Sequence, residues 1–177
     1  MAASHKDHAG PHAEPQAPAH TLPRAQGLSA RGRRVAVAAA RFNAAIVGSL
    51  IEGALAAWRT HGGAEQDLTL VRVPGAFELP VTAQALAKDG RYEAVIALGC
   101  VIRGDTPHFD FVAGECARGL AAVALETGVP VVFGVLTVNT AEQALERAAA
   151  GGMNKGGEAL ETALEMAELF GRLRQRA

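Results

Sequence analysis

Four short apolar runs limit what this chain can become: VAVAAA at 35–40, LTLVRV at 68–73, AVIALGCVI at 94–102 and PVVFGVL at 130–136. Each is rich in Val or Ala and is bounded by Gly, Pro or polar residues. Such runs suit strands covered on both faces. Helical periodicity fills the gaps between them. Val47, Ile51, Ala54, Leu55 and Trp58 share one helical face, and Leu160, Ala163, Leu164, Ala167 and Phe170 share another. The strand ends fall roughly thirty residues apart, the length of a βαβ unit. Right-handed crossovers then yield an α/β fold, a four-stranded parallel sheet with helices on both sides.

The length of 177 residues suits one domain with a real core. Residues 1–33 stand apart from it. They hold four of the eight prolines, four of the six histidines and no aromatic residue. A segment that poor in apolar bulk cannot offset its ordering entropy, so a disordered tail is expected there, with the domain at 34–177. The spacing of His5, His8, His12 and His20 suits no compact metal site. The net charge of −1 offers nothing to nucleic acid or to an anionic membrane. No apolar run has the ~18 residues of a membrane span, and no secretory signal is legible, so a cytoplasmic protein with reduced Cys100 and Cys116 is expected.

In a parallel sheet of this kind, ligands sit beyond the carboxyl ends of the strands. The segment after each strand is therefore the informative part. The four segments are RFN (41–43), PGAFELP (74–80), RGDTPHF (103–109) and TVNTAEQ (137–143). In the third, Gly104 allows a tight turn, Asp105 or Thr106 suits a helix cap, and Pro107 suits the first helical position. The free N–H groups of such a helix start attract anions. His108 falls in its first turn, where the helix dipole disfavours imidazolium, so it reads either as a proton acceptor or as a surface residue. Glu78 reads as a dipole-favoured carboxylate beside the helix start at Pro80, or as an acceptor for ligand hydroxyls. Phe42 and Phe133 read as core residues. Phe42, between Arg41 and Asn43 at a strand end, also suits stacking on a flat ring. Arg147 and Lys155 flank a helix break at Gly151-Gly152, with a new helix near Asn154. They read as a solvated face or as a phosphate clamp.

Other sites are absent. There is no GxGxxG or GxxxxGK[ST] loop, no GxSxG elbow and no Cys/His metal spacing. Composition and spacing thus lead to a phosphate-binding α/β domain with a histidine at the ligand edge.

Five motifs in order carry a resemblance: ARFN (40–43), VPGAFELP (73–80), ALGCVIRGDTPHF (97–109), FGVLT (133–137) and ERAAAGGMNKG (146–156). Over residues 34–173 the chain resembles the 6,7-dimethyl-8-ribityllumazine synthases of riboflavin biosynthesis. The resemblance implies a flavodoxin-like three-layer α/β/α sandwich. It implies condensation of 5-amino-6-(D-ribitylamino)uracil with 3,4-dihydroxy-2-butanone 4-phosphate, releasing lumazine, phosphate and water, with no cofactor and no metal.

It also implies residue roles. His108 matches the proton-transfer residue and Phe42 the aromatic that stacks on the pyrimidine. Ala76, Phe77 and Glu78 match the ribityl-binding segment. Cys100, Val101 and Ile102 match the strand end whose backbone reads the pyrimidine, and Phe133 a second pyrimidine contact. Asp105 and Thr106 match the helix start that holds the phosphate. Arg147 matches the phosphate-binding arginine, which in the family reaches across from a neighbouring subunit. Two positions depart from the pattern. Cys100 stands where the family often has Thr, and Gly151 where many relatives carry Lys, with Lys155 close enough in sequence to compensate. The implied partners are the two small substrates, further copies in a homo-oligomer (a pentamer, and in some relatives a capsid of twelve pentamers) and riboflavin synthase. The competing readings are a non-catalytic flavin-precursor binding or shell protein on the same fold, and a flavodoxin-like electron carrier. The carrier lacks a hydroxyl-rich phosphate loop after its first strand, where ARFN stands.

Overall fold

The computed structural model describes residues 27–175. The four apolar runs form β1 (Val35–Ala40), β2 (Leu68–Val73), β3 (Ala94–Ile102) and β4 (Val131–Val138). All pair in parallel, in the order β2-β1-β3-β4. The helices are α1 (Ala44–Thr60), α2 (Leu79–Lys88), α3 (His108–Thr127), α4 (Ala141–Ala148) and α5 (Lys155–Arg174).

Side chains alternate across a strand, so β1 feeds two cores. Val35, Val37 and Ala39 pack with α1, α4 and α5, while Ala36 and Ala38 pack with α2 and α3. β3 does the same, with Ile96 and Leu98 on the first side and Val95 and Ala97 on the second. The result is the expected three-layer α/β/α sandwich. Among the described residues, no helix is long and apolar enough to cross a membrane.

Two expectations need correction. Only β1 and β3 are covered on both faces along most of their length. β2 and β4 are edge strands and stay partly open, with Leu70 and Phe133 exposed. A run of apolar residues does not tell a central strand from an edge strand. The second correction concerns the tail. Residues 1–26, with all four tail histidines, lie outside the described residues. Residues 27–33 belong to the packed domain: Ala30 is fully buried and its N–H donates to the His61 carbonyl at 3.0 Å. Leu28 packs on the same core, and Arg33 bridges to Glu93 at 2.6 Å. Two apolar side chains anchor this short stretch, too few to register in its composition.

α1 and α5 approach closely. A Cβ added at Gly156 would stand 1.9 Å from the Leu50 carbonyl oxygen, so only glycine fits. Asn154 caps α5, its side chain accepting from the Gly157 N–H at 3.2 Å. The helix break expected at Gly151-Gly152 is present, between α4 and α5.

Candidate functional site

From β1 the chain leads outward on one side to β2 and on the other to β3. That reversal opens a crevice at the carboxyl ends of the strands. The loops after β1, β2 and β3 meet there.

After β1, the Arg41 and Phe42 N–H groups donate to the Val73 and Pro74 carbonyls at 2.8 and 3.1 Å. The backbone is thus held against the β2 end while the Phe42 ring stays 70% exposed. Asn43 then takes the left-handed conformation, φ 57° and ψ 47°, and starts α1. Its side chain makes no cap bond; Nδ2 donates instead to the Cys100 carbonyl at 2.9 Å.

After β2, Ala76–Glu78 form a single 3₁₀ turn. Glu78 Oε2 accepts from the Gly75 N–H at 2.9 Å, which fixes the carboxylate at the crevice. Pro80 lies at the start of α2, where its missing N–H costs nothing.

After β3, the Arg103 N–H donates to the Val138 carbonyl at 2.9 Å. Residues 103–108 are all exposed. The expected cap differs. α3 begins at His108, Pro107 occupies the cap position, and neither Asp105 nor Thr106 makes a side-chain cap bond. The Pro107 carbonyl instead accepts from the Asp110 N–H at 3.0 Å and closes the first turn. Arg103 also reaches over the loop to Asp110, at 2.8 and 3.3 Å through its two terminal nitrogens. That hydrogen bond holds the Asp110 carboxyl below the usual carboxylate range.

These loops surround a cavity of about 630 Å³. Phe42 lines it from the β1 side, and Ala76, Phe77 and Glu78 from the β2 side. Cys100, Val101, Ile102, Thr106 and His108 complete the β3 side. Asp105 stands in the same loop but does not line the cavity. Phe109, Phe111 and Val112 line it as well, although the sequence motifs assign them no role. A signal for two of them exists, since Phe111 and Val112 fall three and four residues after His108, on one helical face. Asn43 is a further site residue without an expected role. Phe42, Phe77 and Phe111 are all more than half exposed, so one flank of the cavity is open and aromatic.

Phe133 and Arg147 are elsewhere. They line a second cavity of about 700 Å³ along the free edge of β4, together with Lys155 and Glu158. Phe42 and Phe133, read as core residues, are both exposed, because each sits where the sheet ends rather than inside it. Of the segment 137–143, Thr137 and Val138 are the last residues of β4, and they line this second cavity rather than the first. Gly151 lies exposed in the turn between α4 and α5. Lys155 pairs with Glu158.

Cys100 and Cys116 are free and buried, and burial pushes both thiols up to about 11. Neither supplies a thiolate at neutral pH. Among the described residues, no group of three or more His, Cys, Asp or Glu is placed to hold a metal ion.

A four-stranded parallel α/β/α sandwich with a cavity at its topological switch point defines a flavodoxin-like fold, the cavity walled by the loops after β1, β2 and β3. Within that class, the family model for 6,7-dimethyl-8-ribityllumazine synthase matches residues 32–171. The chain belongs to this family, and with it to the enzymes of riboflavin biosynthesis.

Proposed function

We propose that the chain condenses 5-amino-6-(D-ribitylamino)uracil with 3,4-dihydroxy-2-butanone 4-phosphate to form 6,7-dimethyl-8-ribityllumazine, phosphate and water. The observation that carries this reading is the meeting of Phe42, Glu78 and His108 at one cavity, which the start of α3 enters from one side. Phe42 stacks on the pyrimidine. The backbone of Cys100, Val101 and Ile102 reads the ring edge, and Ala76, Phe77 and Glu78 take the ribityl hydroxyls. Thr106 and Asp105 lie at the α3 start, whose free N–H groups receive the butanone phosphate.

The amine attacks the ketone, and water leaves to form a Schiff base. Phosphate then departs, the enol left behind tautomerises to a ketone, and the ribitylamino nitrogen attacks it and closes the ring with loss of a second water. Each step moves a proton, and His108, at the cavity wall, accepts and returns them. Bringing two small substrates together supplies a further large share of the acceleration.

Two features favour a site shared between copies. The cavity has an open aromatic flank, and Phe133, Arg147 and Lys155 line a separate cavity on the free edge of β4. When that edge of a neighbouring copy covers the flank, Arg147 reaches the phosphate and Phe133 the pyrimidine. Lys155 then supplies the charge that Gly151 lacks. We take the assembly to be a homo-pentamer, the unit from which the larger capsids of the family are built, acting in the cytoplasm and passing lumazine to riboflavin synthase. The unit proposed to act in this way is the domain at 34–177 together with the packed stretch 27–33.

The test is direct. Full-length protein supplied with both substrates should produce fluorescent lumazine and release phosphate in equal amounts. Binding of the pyrimidine without product would leave a non-catalytic binding or shell protein on this fold.

A further inference from the structure

We propose that Arg103 and Asp110 form a clamp that positions the loop carrying Thr106 and His108; the inference rests on the reaction proposed above. The loop needs such a device. Residues 103–108 are all exposed, so burial does not fix them. No side chain caps α3. Yet both the anion-receiving backbone and the proton-transfer residue lie between these two positions.

Three contacts bear on Arg103. Its N–H donates to the Val138 carbonyl at 2.9 Å, which ties the base of the loop to β4. Its guanidinium donates through both terminal nitrogens to the two oxygens of Asp110, at 2.8 and 3.3 Å. The same guanidinium lies over the Phe109 ring, 4.1 Å from its centre. Phe109 itself lines the cavity. A planar fork held at two oxygens and stacked on a ring has one geometry, which a lysine cannot reproduce. The loop from 104 to 109 is thereby closed at both ends.

The pairing also settles a conflict of charge. Asp110 is the acidic residue in the first turn of α3, and an unpaired carboxylate there would repel a phosphate drawn to the same helix start. Arg103 neutralises it by holding both of its oxygens. Neither residue lines the cavity, so both are positioning residues. Exposed ion pairs contribute little to global stability, so the effect should appear in local order and in phosphate binding rather than in the melting temperature.

The experiment compares full-length wild type, Arg103→Lys, Asp110→Asn and the double variant. Hydrogen exchange of the amides at 104–109 should be faster in all three variants, with melting temperatures within about 2 °C of wild type. Unchanged exchange would overturn the clamp, whatever the reaction. In steady-state assays each single variant should raise KM for the butanone phosphate about tenfold, with KM for the pyrimidine unchanged. The double variant should be no worse than either single one. Equal rises for both substrates, or additive effects, would count against positioning of the phosphate loop. If wild type makes no lumazine, the reaction reading fails on its own, and the exchange result still decides the clamp.

Discussion

Asn43 Nδ2 donates to the Cys100 carbonyl oxygen at 2.9 Å and so joins the end of β1 to the end of β3. One residue both turns the chain, at φ 57°, and pins the two lips of the crevice. Asparagine tolerates the left-handed region, and its short amide reaches the neighbouring strand. Asn43→Ala should therefore lose about 2 kcal/mol, from backbone strain and one hydrogen bond. Asn43→Gly should recover the strain portion only. Urea denaturation midpoints check the order wild type, Gly, Ala; an alanine variant as stable as glycine would remove the backbone part of the account.

His108 and Arg147 occupy separate cavities in one chain, and sharing between copies makes a distinctive prediction. His108→Ala should lower turnover by roughly 10²–10⁴. Arg147→Ala should raise KM for the butanone phosphate. Co-expression of the two variants should restore part of the activity, because mixed assemblies contain some sites with both native residues. Mixtures no more active than the better single variant would confine each site to one chain.

Packing of α1 on α5 depends on a bare backbone at Gly156. The added methyl of Gly156→Ala meets backbone atoms of Leu50, which cannot swing aside as a side chain does. The helices must separate, at a cost of about 3 kcal/mol. A thermal melt lowered by several degrees is expected, and an unshifted melt would show that the contact yields freely.

The thiols of Cys100 and Cys116 rise by burial from an ordinary 9.0 to about 11. Folding thus favours the protonated form. The stability it contributes is full below the unfolded thiol range and declines as pH rises from about 9 toward 11. At a pH of about 8, below the ordinary thiol range, the folded protein should resist iodoacetamide. Mass spectrometry should find both cysteines alkylated only after denaturation. Rapid labelling of the folded chain at either position would contradict their burial.

Sheet and layers were legible because burial on alternate faces is written in residues such as Val35, Ala36 and Val37. The edge status of β2 and β4 was not, since Leu70 and Phe133 are apolar whether or not a neighbour covers them. The loops of the site were legible from Gly104, Pro107, Pro80 and Glu78, whose conformational habits are local. The helix cap differs from its expectation because Asp105, Thr106 and Pro107 compete for one position, and proline took it. The contact of Asn43 with Cys100 is illegible for another reason: it depends on how strands are ordered, and strand order is a property of the folded sheet. The pair of Arg103 with Asp110, seven residues apart, depends on the path of the loop between them.

That order has a kinetic consequence. Val35 of β1 pairs with Leu68 early in the chain and with Ala94 much later, and the crevice exists only once the second pairing is made. Distant parallel pairings form slowly, since loop closure precedes their reward. A molecule that touches both lips can engage only chains in which the distant pairing is complete. Such a molecule should leave the refolding rate untouched and slow unfolding alone, so its benefit to the protein is lifetime rather than speed of birth.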